Sequence, residues 1–191
     1  MSAARRHCLL LAVWLVTLGC LATVAQAVDS GAEYALQLGI KMFPTLVGGN
    51  LDIDTQKNAE GKLLLLVVYQ ENRQGGEEVV ARMNSSVRVI YKTPVQILLT
   101  DVAGFAAFAA QPVAGIFLAE PLALTPRTAT IAFGIQKKAV VFSPFDGDVQ
   151  QGILAGLHIA IQVQPALNLT TLRNSGIRMN QLFFKVAQTY E

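Results

Sequence analysis

The chain has 191 residues, 15 of them Lys or Arg and 13 Asp or Glu, for a formal net charge of +2. Of these residues 52% are hydrophobic and 15% charged. So even a charge offers no basic footprint for nucleic acid or an anionic lipid surface, and so apolar a composition excludes a disordered chain.

Met1 to Ala27 places Arg5 and Arg6 before an apolar run from Cys8 to Leu21, and then reads Ala25-Gln26-Ala27. A charged start, an apolar middle and an A-x-A ending predict a cleaved export signal, and the run is short for a membrane span. The rival reading is a lipoprotein signal ending at Cys20, where only Gly19 suits the attachment box. Cleavage after Ala27 would leave residues 28–191 as one domain, with 13 basic residues against 13 acidic and no cysteine. Such a domain has no disulfide, thiol nucleophile or thiolate ligand, although it is expected in the periplasm.

Ser30 with Glu33 three residues later has the form of a capping box. It predicts a helix from Gly31 to Phe43 that Pro44 stops. Gly48 to Gly61 is polar and reads as a surface connection; Asp52 and Asp54 within it lack the glutamate that would close a calcium loop. "KLLLLVVYQE" from Lys62 is continuously apolar, as a strand covered on both faces is. A short helix is predicted over "GGEEVVARMN" and a second strand over Val87 to Thr93. "VQILLTDVAGFAAFAAQ" is expected to carry the chain into an alanine-rich helix, and Val113 to Glu120 to form the third strand. A helical or irregular crossover containing Pro126 leads to the fourth, Ala139 to Pro144. Leu157 to Gln164 alternates apolar and polar residues, which predicts one strand with one wet face. A helical turn stopping at Gly176 comes next. In the closing helix Met179, Phe183, Val186 and Tyr190 share a face. The fold predicted is α/β: a three-layer sandwich, its mostly parallel central sheet carrying helices on both faces, with a one-sided alternating strand near the C-terminus.

Chemistry needs a nucleophile with a base beside it, or titratable groups brought together. His158 is the one histidine after the leader, in a strand among polar neighbours. Ser143 lacks a G-x-S-x-G elbow, and Ser175 has no base near it in sequence. Lys137 and Lys138 read as a solvated helix end. Asn84-Ser85-Ser86 and Asn168-Leu169-Thr170 match glycosylation acceptors, with coincidence the default. The loop "FSPFDGDVQQG" comes closest to a site, through Asp146 and Asp148 flanking Gly147. Counting a calcium loop from Asp146 ends on Leu157, and no Gly-Lys-Ser/Thr succeeds it for a phosphate. A turn with a capping aspartate is the plainer reading; a ligand- or partner-contacting loop at a strand's carboxyl end is the alternative. No enzyme, cofactor or metal is expected.

The segment "GDVQQGILAGLHIAIQVQPALNLTTLRNSGIRMNQLFFKVA" resembles the closing segment of the YfiR-like periplasmic proteins, with Gly152, Asn168, Arg173, Gly176, Arg178 and Ala187 in the family's places. "YALQLGIKMFP" resembles its opening helix, which ends in an aromatic residue and Pro44. Phe43 stands where the family usually has tryptophan, and the cysteines of its members are absent. The resemblance implies a structural role for these residues. It also implies a non-catalytic regulator that docks on the sensory domain of an inner-membrane diguanylate cyclase and represses it. A homodimer is allowed. Candidate contacts are Phe43 with Leu46 and Val47, the loop at Asp146 and Asp148, and the closing helix around Phe184. The alternative function is a small-solute receptor using the strand-end loops at Glu71, Glu120 and Asp146.

Overall fold

The computed structural model describes residues 31–191, so the segment expected to be an export signal, both cysteines and Ser30 of the expected capping box lie outside the described residues. The chain divides after Ala35 into two compact units. In the first, residues 31–35 are helical; the second, Leu36–Glu191, holds the sheet and its covering helices.

Helix α1, residues 31–48, runs through Pro44 rather than stopping there. A proline inside a helix costs about 3 kcal/mol through its missing N–H. Against this, Phe43, Leu46 and Val47 are buried on one face, each contributing about 1.5–3 kcal/mol. Packing wins, and the last turn closes with Gly49 N–H donating to the Thr45 and Leu46 carbonyls at 3.0 Å.

Strand β1 (Leu63–Val68) is buried at all six positions and lies inside an eight-stranded sheet of order β2 (Val89–Ile90), β3 (Thr93–Thr100), β1, β4 (Gly115–Leu118), β5 (Val140–Ser143), β6 (Ala155–Ile159), β7 (Val163–Asn168), β8 (Gln188–Tyr190). Its parallel neighbours are β3 (Thr93–Thr100) and β4 (Gly115–Leu118). Next to β4 lies β5 (Val140–Ser143), also parallel. The register puts Leu99, Val67, Phe117 and Phe142 in one row across the sheet. Helix α2 (Arg73–Ser86) brings Gly76 against Leu99, and α1 brings Gly39 and Phe43 against Phe117 and Phe142. These helices therefore share a face. Val141, pointing the other way, receives Gly134 of α3 (Leu124–Lys137), and Phe133 of α3 stacks on Phe105 of a 3-10 turn at 4.4 Å. The predicted three-layer α/β sandwich is what forms. Right-handed crossovers demand this split, since the chain moves one way from β1 to β3 and the other from β4 to β5.

Several predicted elements move. The second strand is not Val87–Thr93: β2 is only Val89–Ile90, and Tyr91 and Lys92, both at positive φ, turn the chain into β3. Val95 to Thr100, read only as the approach to a helix capped near Thr100 or Asp101, instead pair with all of β1. The alanine-rich stretch keeps only the 3-10 turn Ala103–Phe108. Leu157–Gln164, expected as one strand, is a hairpin of β6 (Ala155–Ile159) and β7 (Val163–Asn168). After α4 (Leu169–Ser175), the closing helix α5 is cut to Gln181–Val186. Tyr190 leaves that helix face for β8 (Gln188–Tyr190), parallel to β7.

Candidate functional site

The loop from Phe142 to Gly152 is a crossover without a helix. It joins β5 to its parallel neighbour β6 in a space where a helix would normally be needed. Helix-like turns fold it up, with Gln151 N–H donating to Gly147 O and Ile153 N–H to Asp148 O. Gly147 (φ 82°) and Gly152 (φ 101°) supply backbone conformations that side chains resist. Asp148 is buried, and its Oδ2 accepts from Ser143 Oγ at 2.5 Å. Arg127, from the first turn of α3, reaches its Oδ1 at 3.4 Å and donates to Gln151 Oε1. The loop's far side is pinned by Asn168 Nδ2 to Val149 O at 2.9 Å and Thr171 Oγ1 to Gly152 O at 2.7 Å.

The two aspartates therefore part company. Asp146 is exposed, whereas Asp148 is a buried brace, removed from the surface where a partner would meet it. Burial raises the Asp148 carboxyl above its ordinary value, with the Ser143 hydrogen bond and Arg127 opposing. Arg127, the other half of this brace, is legible in the sequence only as an isolated cation in a helix start. Its Nε is buried without a hydrogen-bond partner.

Phe43, Leu46 and Val47, expected as a surface patch, are core side chains at 0%, 0% and 1% exposure. Phe43 packs edge-on to Phe117 with centroids 5.5 Å apart. Its place on the sheet-facing side of α1 removes it from any partner. Pro44 is half-buried one position away. Asn168 caps α4 through Thr171 N–H at 2.8 Å, and Gly176, at φ 64°, ends it. Arg173 lies 3.5 Å from Glu191, and Arg178 clasps Asp52 with two hydrogen bonds. Phe184 is exposed and joins Arg173, Arg178, Leu172 and Ile177 around an open cavity of about 410 Å3.

Other candidates are engaged elsewhere. His158 Nδ1 is 3.3 Å from the Tyr190 hydroxyl, and Ser175 Oγ donates to Leu172 O. Lys137 Nζ donates to the carbonyls of Ala109 and Gln111 and so fastens the 3-10 turn. Among the described residues no group of three His, Cys, Asp or Glu is placed to hold a metal, and no helix is long and apolar enough to cross a membrane.

The order β3-β1-β4 makes the carboxyl ends of β1 and β4 the point where an open α/β sheet takes its ligand. There the Oε1 of Glu120 accepts three backbone N–H groups, from Gln70, Glu71 and Asn72, at 2.7–2.8 Å. An anionic ligand at this crevice would have to displace the chain's own carboxylate. Glu120→Ala should lower the unfolding free energy by about 2–3 kcal/mol, because three orphan donors lose a charged acceptor. Urea unfolding checks this; a change below about 0.5 kcal/mol would show that water satisfies these amides equally well.

The surface bears exposed apolar side chains of which the sequence singled out only Phe184. Ile161, at the tip of the β6–β7 hairpin, is 103% exposed, and Ile159 beside it is half exposed. No Asp, Glu, Lys or Arg occurs between Asp148 and Arg173. On α5, Leu182, Phe184 and Val186 are exposed as well. The signal was present as an isoleucine at a turn with no Gly, Asn, Asp or Pro, a local rule broken without structural gain.

No family model matches the chain, and no curated protein matches it. Among solved structures, the ABC domain in complex with L-Trp from Streptococcus pneumonia is similar at a TM-score of 0.45 and 10% identity, over 76% of this chain. This chain spans 62% of that domain's length. That likeness is too slight to bear on function.

Proposed function

We propose that this is a periplasmic, non-catalytic regulator that acts by contact, docking on the sensory domain of an inner-membrane signalling protein of the diguanylate cyclase type and holding it inactive. Ile161 carries the reading: a fully exposed isoleucine at a hairpin tip, in a stretch without formal charge. Such a tip gains nothing for the fold and gains about 1.5–3 kcal/mol when a partner buries it. Leu182, Phe184 and Val186 on α5 are exposed as well, and exposed apolar side chains are what an interaction surface needs. The partner's matching face is apolar and uncharged. The resemblance of residues 32–187 to YfiR-like proteins supplies the class of partner.

Capture from solubilised membranes tests this. The tagged wild-type protein should recover a membrane cyclase, and Ile161→Asp and Phe184→Asp should each reduce recovery at least tenfold while leaving the melting temperature within a few degrees. Recovery of no membrane signalling protein, or equal recovery by both variants, would sink the reading.

A further inference from the structure

A cavity of about 270 Å3 lies where the loop after α1 meets the ends of α3 and α4, lined by Asn50, Asp52, Thr55, Gln56, Lys138 and Ile177. Its floor is two carboxamides. Gln56 is 7% exposed and Asn50 4%, yet neither end of the Gln56 amide has a hydrogen-bond partner among the described residues. Asn50 Oδ1 accepts from Asp52 N–H at 3.0 Å, while its Nδ2 has no such partner. Arg127 Nε is the one polar side-chain atom fully closed off without a partner among the described residues, so these amide ends open into the cavity, where water or a ligand can meet them.

The rim carries opposite charges. Asp52 is oriented by Arg178, whose Nε donates to Oδ2 at 2.7 Å while Nη2 takes Oδ1. Each carboxylate oxygen keeps a further lone pair. That hydrogen bond holds the Asp52 carboxyl below its ordinary value, with Lys138 adding to the effect, so the group stays ionised. Two helices end here: Lys138 caps α3 and Gly176 caps α4, both left-handed at φ 52° and 64°. Helix C-termini favour cations. Glycine is the usual residue at such a cap, as at Gly176; a lysine there is held in a backbone conformation that side chains resist. Lys138 lines the same cavity as Asp52, and its charge acts on the Asp52 carboxyl.

We propose that this cavity binds a small zwitterion with the chemistry of a free amino acid: ammonium to Asp52, carboxylate to Lys138, remaining polar atoms to the Gln56 and Asn50 amides. A lone carboxylate or a lone amine satisfies one wall only. Arg178 then acts as a positioning residue for Asp52. None of this depends on the docking surface at Ile161 and α5.

Thermal unfolding and isothermal titration of the purified full chain test it, with glycine, L-alanine, L-serine and L-threonine as probes beside acetate, ethylamine and glycerol. At least one amino acid should bind and raise the melting temperature, with the three fragments at least tenfold weaker. Gln56→Met keeps the side chain's length without its polar ends and should weaken binding at least tenfold; Asp52→Asn should do the same and serves if the first variant does not fold. The proposal is overturned if none of the four amino acids binds, if acetate or ethylamine alone binds as tightly, or if a folded variant binds like wild type. No partner protein enters the assay, so its failure leaves the docking reading standing.

Discussion

Phe43→Ala should lower the unfolding free energy by about 3–5 kcal/mol, the range for truncating a fully buried phenylalanine. Phe43 has no exposed surface and touches two rings of the sheet, Phe117 at 5.5 Å and Phe142 at 5.8 Å between centroids. It sits where α1 crosses β4, and Gly115 is there because a Cβ would come within 2.7 Å of the Phe43 ring. So closed a site cannot collapse onto the hole left by the missing ring, and the cavity term should be near its full value. For a domain of this size the melting temperature should fall by roughly 6–20 °C. Phe43→Trp is expected to destabilise as well, by about 1–3 kcal/mol, since the indole meets backbone at Gly115 instead of empty space. A Phe43→Ala protein that melts like wild type but loses its partner would put the ring back on the surface and refute its burial.

That expectation reverses what the sequence alone says of Phe43, and the reason is physical. An aromatic residue before a proline reads as a helix end, hence as surface. Only the strands it packs on reveal that continuing the helix buries Phe43, Leu46 and Val47 together. The parallel core was legible wherever a strand is covered on both faces, as in the six buried residues of β1, because a continuous apolar run leaves few alternatives. Legibility failed at turns that lack turn residues. Tyr91 and Lys92 reverse the chain at positive φ, and Ala160-Ile161 does so in the hairpin, so neither break was visible and the elements around them were displaced. Gln56 and Asn50 went unnoticed for a related reason: their interest lies in amide groups that open into a cavity without a protein partner, a property of three-dimensional surroundings that spacing does not encode. Asp148 was visible as a residue, but its work was not, because Arg127 is 21 positions away.

Asp148 is where the loop's chemistry and its architecture are tested together. Asp148→Ala should cost about 3 kcal/mol, since it strands the Ser143 hydroxyl and leaves the Arg127 guanidinium, only 12% exposed, without its carboxylate. Asp148→Asn keeps an acceptor for Ser143 and removes the charge that burial penalises, so at neutral pH it should cost less than half as much. The acid limb separates the charge from the shape. Burial raises the folded-state carboxyl above its unfolded value of 3.8, so the folded protein binds the proton more readily than the unfolded chain does. Stability from this group is therefore fully present below pH 3.8 and is lost as pH rises through the raised folded value. Across that window, wild type should gain on Asp148→Asn as the pH is lowered, a trend opposite to that of an ordinary salt-bridged aspartate. Parallel urea titrations of the two proteins at closely spaced pH values read the difference directly. A wild-type protein that instead loses ground to Asp148→Asn on acidification would mean that Arg127 and Ser143 outweigh burial, making the brace an ion pair that holds β5 and β6 together by charge.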